Sequence, residues 1–183
     1  MRTIVITLPN FIEGEAEKIT NLLRRGDVDI VHIRKPYSSI EEVATLIERI
    51  PEELASRLVL HDHHILALRY NLYGVHLNGR NPQPPAGWEG SVSRSCHSMK
   101  EVQECKSRCD YVSLSPIFDS ISKIGYQSAF TEREIMDAHL DGIIDDKVYA
   151  LGGVTFANLP KVESMGFGGA MILGDAWRNF EII

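Results

Sequence analysis

The chain has 183 residues, 44% of them hydrophobic and 24% charged, which is enough for one well-buried core and short for two. Its formal net charge of -6 argues against nucleic acid as a partner, because a phosphate backbone asks for a basic face. No apolar run is long enough to span a membrane, so any anion site must be a local concentration of donors.

Thr3 to Leu8 reads as a first strand, closed by Pro9-Asn10. From Glu13 to Arg25, Ala16, Ile19, Leu22 and Leu23 recur at helical spacing until Gly26 ends the run. Asp29 to Arg34 is a second strand. Ser39 then caps a helix with Glu41 and Glu42 in its first turn and Val43, Leu46 and Ile47 as its buried stripe. Arg57 to Asp62 is a third strand, followed by a short helix through Ile65, Leu66 and Leu68 to Tyr70, and Gly74 to Asn78 is a fourth. Residues 79–87 are too rich in proline and glycine for the helix expected there. Ser91 to Cys96 is a fifth strand, and Ser98 caps a helix from Met99 to Cys109 with Val102 and Cys105 on its inner face. Tyr111 to Leu114, stopped by Pro116, is a sixth strand, with a helix at Thr131 to Leu140. Lys147 to Leu151 and Gly169 to Leu173 are the last two strands, separated by a helix from Phe156 to Met165 and followed by a helical turn or two from Asp175.

Short apolar strands alternating with helices imply a parallel sheet covered on its outer side. Eight such units specify an α/β fold, a single small (β/α)8 TIM barrel over residues 1–183, with the helix after the fourth strand missing and a clipped C-terminus. A doubly wound open sheet is the alternative. The Gly-Phe-Gly-Gly run at 166–169 precedes a strand, so it is not a dinucleotide-binding turn. The three cysteines, Cys96, Cys105 and Cys109, and an N-terminal apolar run too short for a signal sequence point to a reduced, cytoplasmic protein. No second pair completes a metal site with Cys105 and Cys109, which leaves packing as their role.

Chemistry in a barrel gathers where strands end. Alternation puts His32 and Arg34 on one face of the second strand and Lys35 on the other; Arg34 is placed for a bidentate phosphate contact or a salt bridge. His61, Asp62, His63 and His64 end the third strand. Asp62 alone suits Mg2+ with waters and substrate phosphates, while His63 and His64 read as a solvated helix start. His76 and His97 end the next strands as proton donors or as structural histidines. Ser120, Ser122 and Lys123 form a hydroxyl-rich loop ending in a cation, either a polar surface loop or a diphosphate grip. Gly152, Gly153 and Gly174 permit close approach of a phosphate, although Asp175 puts negative charge beside it.

The ordered motifs His-Ile-Arg at 32–34, His-Asp at 61–62, Gly-Val-His-Leu at 74–77, Ser-Cys-His at 95–97, Asp-Tyr-Val at 110–112, Pro-Ile-Phe at 116–118 and Gly-Gly-Val-Thr at 152–155 carry a family resemblance. Over almost its full length the chain resembles the thiamine phosphate synthase/TenI superfamily. The resemblance implies a transferase that joins hydroxymethylpyrimidine diphosphate to thiazole phosphate in thiamine biosynthesis, with release of diphosphate. It implies catalytic roles for Arg34 and Lys123, while a tautomerase would have to use His97, His61 or His32 for proton transfer. Substrate contacts would come from His32, Arg34, His61, Ser95, Ser120, Ser122, Lys123, Gly152, Gly153 and Gly174, and Mg2+ ligands from Asp62 and Asn81. Phosphorylated pyrimidine and thiazole are the implied partners, with no nucleic acid and no membrane, and a homo-oligomer is compatible with it. The chain departs from the synthase pattern where His32 replaces a glutamine, His61 an asparagine, Asn81 an aspartate and Gly174 a hydroxyl residue, and where Lys35 is shifted by one. The alternatives are a TenI-like thiazole tautomerase, whose acid–base histidine is Pro116 here, and a non-catalytic thiazole or thiamine phosphate binder.

Overall fold

Short runs of β-branched and leucine residues with both faces buried become parallel strands, because only a sheet covered by helices outside and side chains inside can bury both. The computed structural model describes residues 1–119 and 128–178. In it β1 (Arg2–Ile6), β2 (Ile30–Ile33), β3 (Leu58–Leu60), β4 (Gly74–Leu77), β5 (Ser91–Cys96), β6 (Tyr111–Leu114), β7 (Val148–Leu151) and β8 (Gly169–Ile172) follow one another in sequence order and close into a barrel. The pairings are parallel, for example Ile4 level with Ile30 and Val112 with Val148. This closed order excludes the open doubly wound sheet. The interleaved helices are α1 (Glu15–Arg25), α2 (Ile40–Glu48), α3 (Ile65–Arg69), α4 (Met99–Lys106), α5 (Glu132–Leu140), α6 (Leu159–Ser164) and α7 (Gly174–Arg178), and none lies between β4 and β5. Among the described residues, no helix is long and apolar enough to cross a membrane.

Helix ends follow the capping chemistry. Ser39 accepts from the Glu42 N–H at 3.2 Å while its own N–H donates to the Glu42 carboxylate at 2.8 Å, a reciprocal box that starts α2. Thr131 and Glu134 repeat it for α5. Helix α1 begins two residues later than its apolar pattern suggests, because Gly14 sits in the left-handed region at φ 65°. The expected helix from Phe156 to Met165 is divided. A 3-10 turn over Phe156–Asn158 precedes α6, whose Pro160 fits a first turn because its missing N–H is not needed there. Helix α4 ends at Lys106, whose ammonium donates to the carbonyls of Gly142 and Ile143 and pairs with Asp145 at 2.6 Å. Glu52–Arg57 adds a 3-10 turn that the apolar spacing does not signal.

The chain packs as two compact units, one of Ile4–Val92 and one of Met1–Thr3 with the residues from Ser93 onward. In the first, Lys35 is 1% exposed and turns away from Arg34, as alternation requires. Its ammonium donates to Glu15 at 2.7 Å, Leu8 O at 2.9 Å and Asn10 O at 2.8 Å. Burial pushes the Glu15 carboxyl up and the Lys35 ammonium down, each opposed by the other's charge. In the second unit, Tyr111 and Tyr149 stack with ring centroids 4.7 Å apart. Cys96 is fully buried there, and burial beside Cys105 pushes its thiol up to about 12. Cys109 is raised by the same causes.

Lys35→Ala strands the Glu15 carboxylate and should cost about 3–5 kcal/mol in urea unfolding. Replacing both partners, Lys35→Met with Glu15→Leu, should recover part of that loss. Iodoacetamide at mildly alkaline pH should leave Cys96 and Cys109 unmodified in the native protein and alkylate both once urea is added, as peptide mass mapping would read.

Candidate active site

Within the Ile4–Val92 unit, register gathers three histidines on one face of the strands. His32 pairs with Val59, Val59 with Gly74 and Leu60 with Val75, so His61 and His76 stand two residues beyond a matched pair on the same face as His32. The His61 N–H continues the ladder by donating to Ile33 O at 3.1 Å. His32 Nδ1 lies 2.9 Å from His61 Nε2, and the His61 and His76 rings stack at 4.1 Å between centroids. Burial, with the neighbouring imidazoles adding to it, pushes His32 and His61 well below the ordinary histidine value of 6.5, and the Arg34 guanidinium contributes at His61. Arg34 is half-buried, and its backbone N–H donates to the Thr7 hydroxyl at 2.9 Å. The structure corrects one expectation here. His64 is not at a solvated helix start but 7% exposed, with Nε2 donating to His76 O at 3.2 Å. His63 is half-buried and reaches Ser38 O at 2.8 Å.

Asp62 is brought together with Asn81 through a residue that the sequence motifs do not single out. Asn78, at the end of β4, accepts the N–H groups of Arg80 and Asn81 at 2.9 Å each and donates to His61 O at 2.6 Å. This Asx turn folds the loop back over the end of β3. Asp62 Oδ1 then accepts from Arg80 Nε at 3.2 Å, Arg80 Nη2 at 2.9 Å and Asn81 Nδ2 at 3.1 Å. Asp62 Oδ2 is buried and has no hydrogen-bond partner among the described residues. One carboxylate oxygen without a donor, beside an amide, is a donor set that fits a hard divalent cation completed by waters and phosphate oxygens. Arg80 and Asn78 carry a local signal, an Asn at a strand end followed by Gly-Arg-Asn, that marks the turn.

In the unit from Ser93 onward, Ser95 is half-buried and accepts from the Ser113 hydroxyl at 3.3 Å. His97 is exposed, its Nδ1 lying 3.2 Å from the Ser115 hydroxyl and its backbone N–H donating to Glu101 at 2.7 Å. Gly152 and Gly153 adopt φ of +90° and +64°. A Cβ on Gly152 would come within 2.7 Å of Pro116 Cα, and one on Gly153 within 2.5 Å of Asp119 O. The close approach these glycines permit is therefore first to the loop after β6, whose Ile117 and Phe118 N–H groups donate to Leu151 O and Gly152 O at 3.0 Å. Asp175 accepts from the Phe156 N–H at 3.0 Å, beside Gly174 at the start of α7. Ser120, Ser122 and Lys123 lie outside the described residues. On either side of them, Ser128 N–H donates to Asp119 at 2.7 Å and Ala129 N–H to Pro116 O at 3.1 Å.

Residues 3–174 match the family model described as thiamine monophosphate synthase. A thiamine-phosphate synthase of Parasynechococcus marenigrum is 28% identical over 171 residues, 86% of this chain but 47% of that protein. One from Halalkalibacterium halodurans is 27% identical over 151 residues, covering 77% of this chain and 70% of the other. The crystal structure of a thiamine phosphate pyrophosphorylase from Bacteroides thetaiotaomicron superposes with a TM-score of 0.89 at 42% identity, over 100% of this chain and 87% of that one.

Because His32, His61 and His64 all take up protons less readily than in the unfolded chain, the unfolded state binds more protons as pH falls below about 6.5. Their contribution is present above that value and lost as pH drops through it toward their depressed folded values. Unfolding free energies from urea titrations between roughly pH 8 and pH 5 should fall by up to about 1.4 kcal/mol per pH unit for each such histidine. His32→Gln with His61→Asn should flatten that slope.

Proposed function

The chain belongs to the thiamine monophosphate synthase/TenI family, and on that footing we propose that it joins hydroxymethylpyrimidine diphosphate to thiazole phosphate with release of diphosphate. The observation that carries the reading is Asp62, held by three donors on one oxygen and none on the other at the end of β3. Mg2+ held there by Asp62, with Asn81 beside it, would neutralise charge gathering on the leaving diphosphate. Arg34, half-buried and with its backbone fixed by Thr7, would present a guanidinium to the same group. Ser120, Ser122 and Lys123 would complete the grip, as the family resemblance implies. Gly152, Gly153 and Gly174 would meet the thiazole phosphate, and Ser95 on β5 and His97 just after it would line the substrate space, as the family resemblance implies. No strong general base is required, because the bond breaks by departure of a stabilised leaving group and the thiazole nitrogen supplies the electron pair. Pro116, standing where a TenI tautomerase has its acid–base histidine, favours the transferase over the isomerase.

Purified protein given both substrates should form thiamine phosphate and diphosphate only when Mg2+ is present. Asp62→Ala and Lys123→Ala should each lower that rate by about 100-fold or more. A total absence of product across a Mg2+ titration sinks the transferase reading, and thiazole tautomerisation in metal-free buffer would then identify an isomerase.

A further inference from the structure

Among the described residues, His32, His61 and His76 are the one group of three metal-ligating side chains that converge, their donor nitrogens all within 4.8 Å of one another. They come from β2, the end of β3 and β4, and the backbone register described above sets His61 and His76 level with each other and His32 two residues earlier on the same face. The sheet therefore builds the convergence. The three side chains are 0%, 5% and 1% exposed, so water competes little for their nitrogens.

Two further properties suit a metal. Imidazole ligates through a ring nitrogen, and the contact between His32 and His61 already turns two such nitrogens toward each other. A tetrahedral ion with bonds of about 2.0–2.1 Å draws its ligand nitrogens to roughly 3.3–3.4 Å from each other. His32 Nδ1 and His61 Nε2 are already 2.9 Å apart, and the His76 ring, stacked on His61, completes the geometry by turning its nitrogen edge toward that pair.

We propose that His32, His61 and His76 form a three-histidine centre for a divalent transition metal of the zinc class, distinct from the hard-cation position at Asp62. Nitrogen donors select such an ion over Mg2+, which takes oxygen. Three protein ligands leave a fourth position for water or a substrate atom. Loading the centre replaces the His32–His61 hydrogen bond and requires one of the two rings to change tautomer, with no net loss of a proton. The centre shares His32 and His61 with the substrate contacts that the family resemblance implies, but it needs neither Arg34 nor the Asp62 carboxylate, so metal uptake can be read apart from transferase activity.

The test uses the full chain freed of metal by chelator and then given Co2+ alone, with Zn2+ as the displacing ion. One Co2+ per chain with the visible spectrum of nitrogen ligation is expected. X-ray absorption of the zinc-loaded protein should show imidazole scatterers at about 2.0–2.1 Å. His76→Asn and His32→Gln should each weaken Co2+ binding by roughly 100-fold or more, while Asp62→Asn should leave it unchanged. The proposal is overturned by a wild-type chain that binds no Co2+, by a sulfur scatterer or thiolate charge-transfer band, or by undiminished affinity in the folded histidine variants. Should either variant fail to fold, the wild-type scattering alone decides. A chain without transferase activity that still takes up one nitrogen-ligated Co2+ would separate the two readings.

Discussion

Successive side chains on a strand point to opposite faces, and at the end of β2 that rule separates two cations with different tasks. Lys35 goes to the helix side, where Glu15 and the carbonyls of Leu8 and Asn10 take all of its ammonium's directed hydrogen bonds. Because the backbone is pinned there and again at Thr7, His32 and Arg34 are committed to the other face. The three-histidine group and the position of the Arg34 guanidinium both depend on this division. A one-residue slip of β2 would exchange the two faces, bury Arg34 against α1 and dismantle the histidine cluster at once.

At the end of β3 the controlling interaction is the Asx turn of Asn78. It draws Arg80 and Asn81 onto one oxygen of Asp62 and leaves the other pointing into a buried space without a donor. A second aspartate would have placed two negative charges side by side; here an amide and a guanidinium stand near one carboxylate instead. A cation bound at Asp62 would therefore share its ligand with Arg80, so the compensating charge must come from substrate phosphates and the remaining coordination from water.

Strand positions, the Ser39 and Ser98 caps and the absent helix between β4 and β5 were readable because each rests on local chemistry: β-branched runs, capping side chains, and proline and glycine density. The division of the Phe156–Met165 segment turned on Pro160, whose preference for a first turn acts only once the 3-10 turn before it exists. The meeting of His32, His61 and His76 was not readable, since it is set by register among strands as many as 44 residues apart in number, from 32 to 76. Their shared face follows from pairings such as Val59 with Gly74 that no local pattern encodes. The roles of Ser120, Ser122 and Lys123 rest on the family resemblance, and Asp175 found its partner, the Phe156 N–H, in a different turn from its own.

Gly152 and Gly153 invite a broader reflection on what a motif can report. Both positions are closed to side chains by Pro116, Phe118 and Asp119, whatever molecule passes nearby. A descendant of this chain that had ceased to recognise phosphate altogether would remain confined to glycine at both, simply to keep β7 and the loop after β6 in register. The Gly-Gly pair is thus a signature of the architecture, and as a marker of living catalysis it is silent.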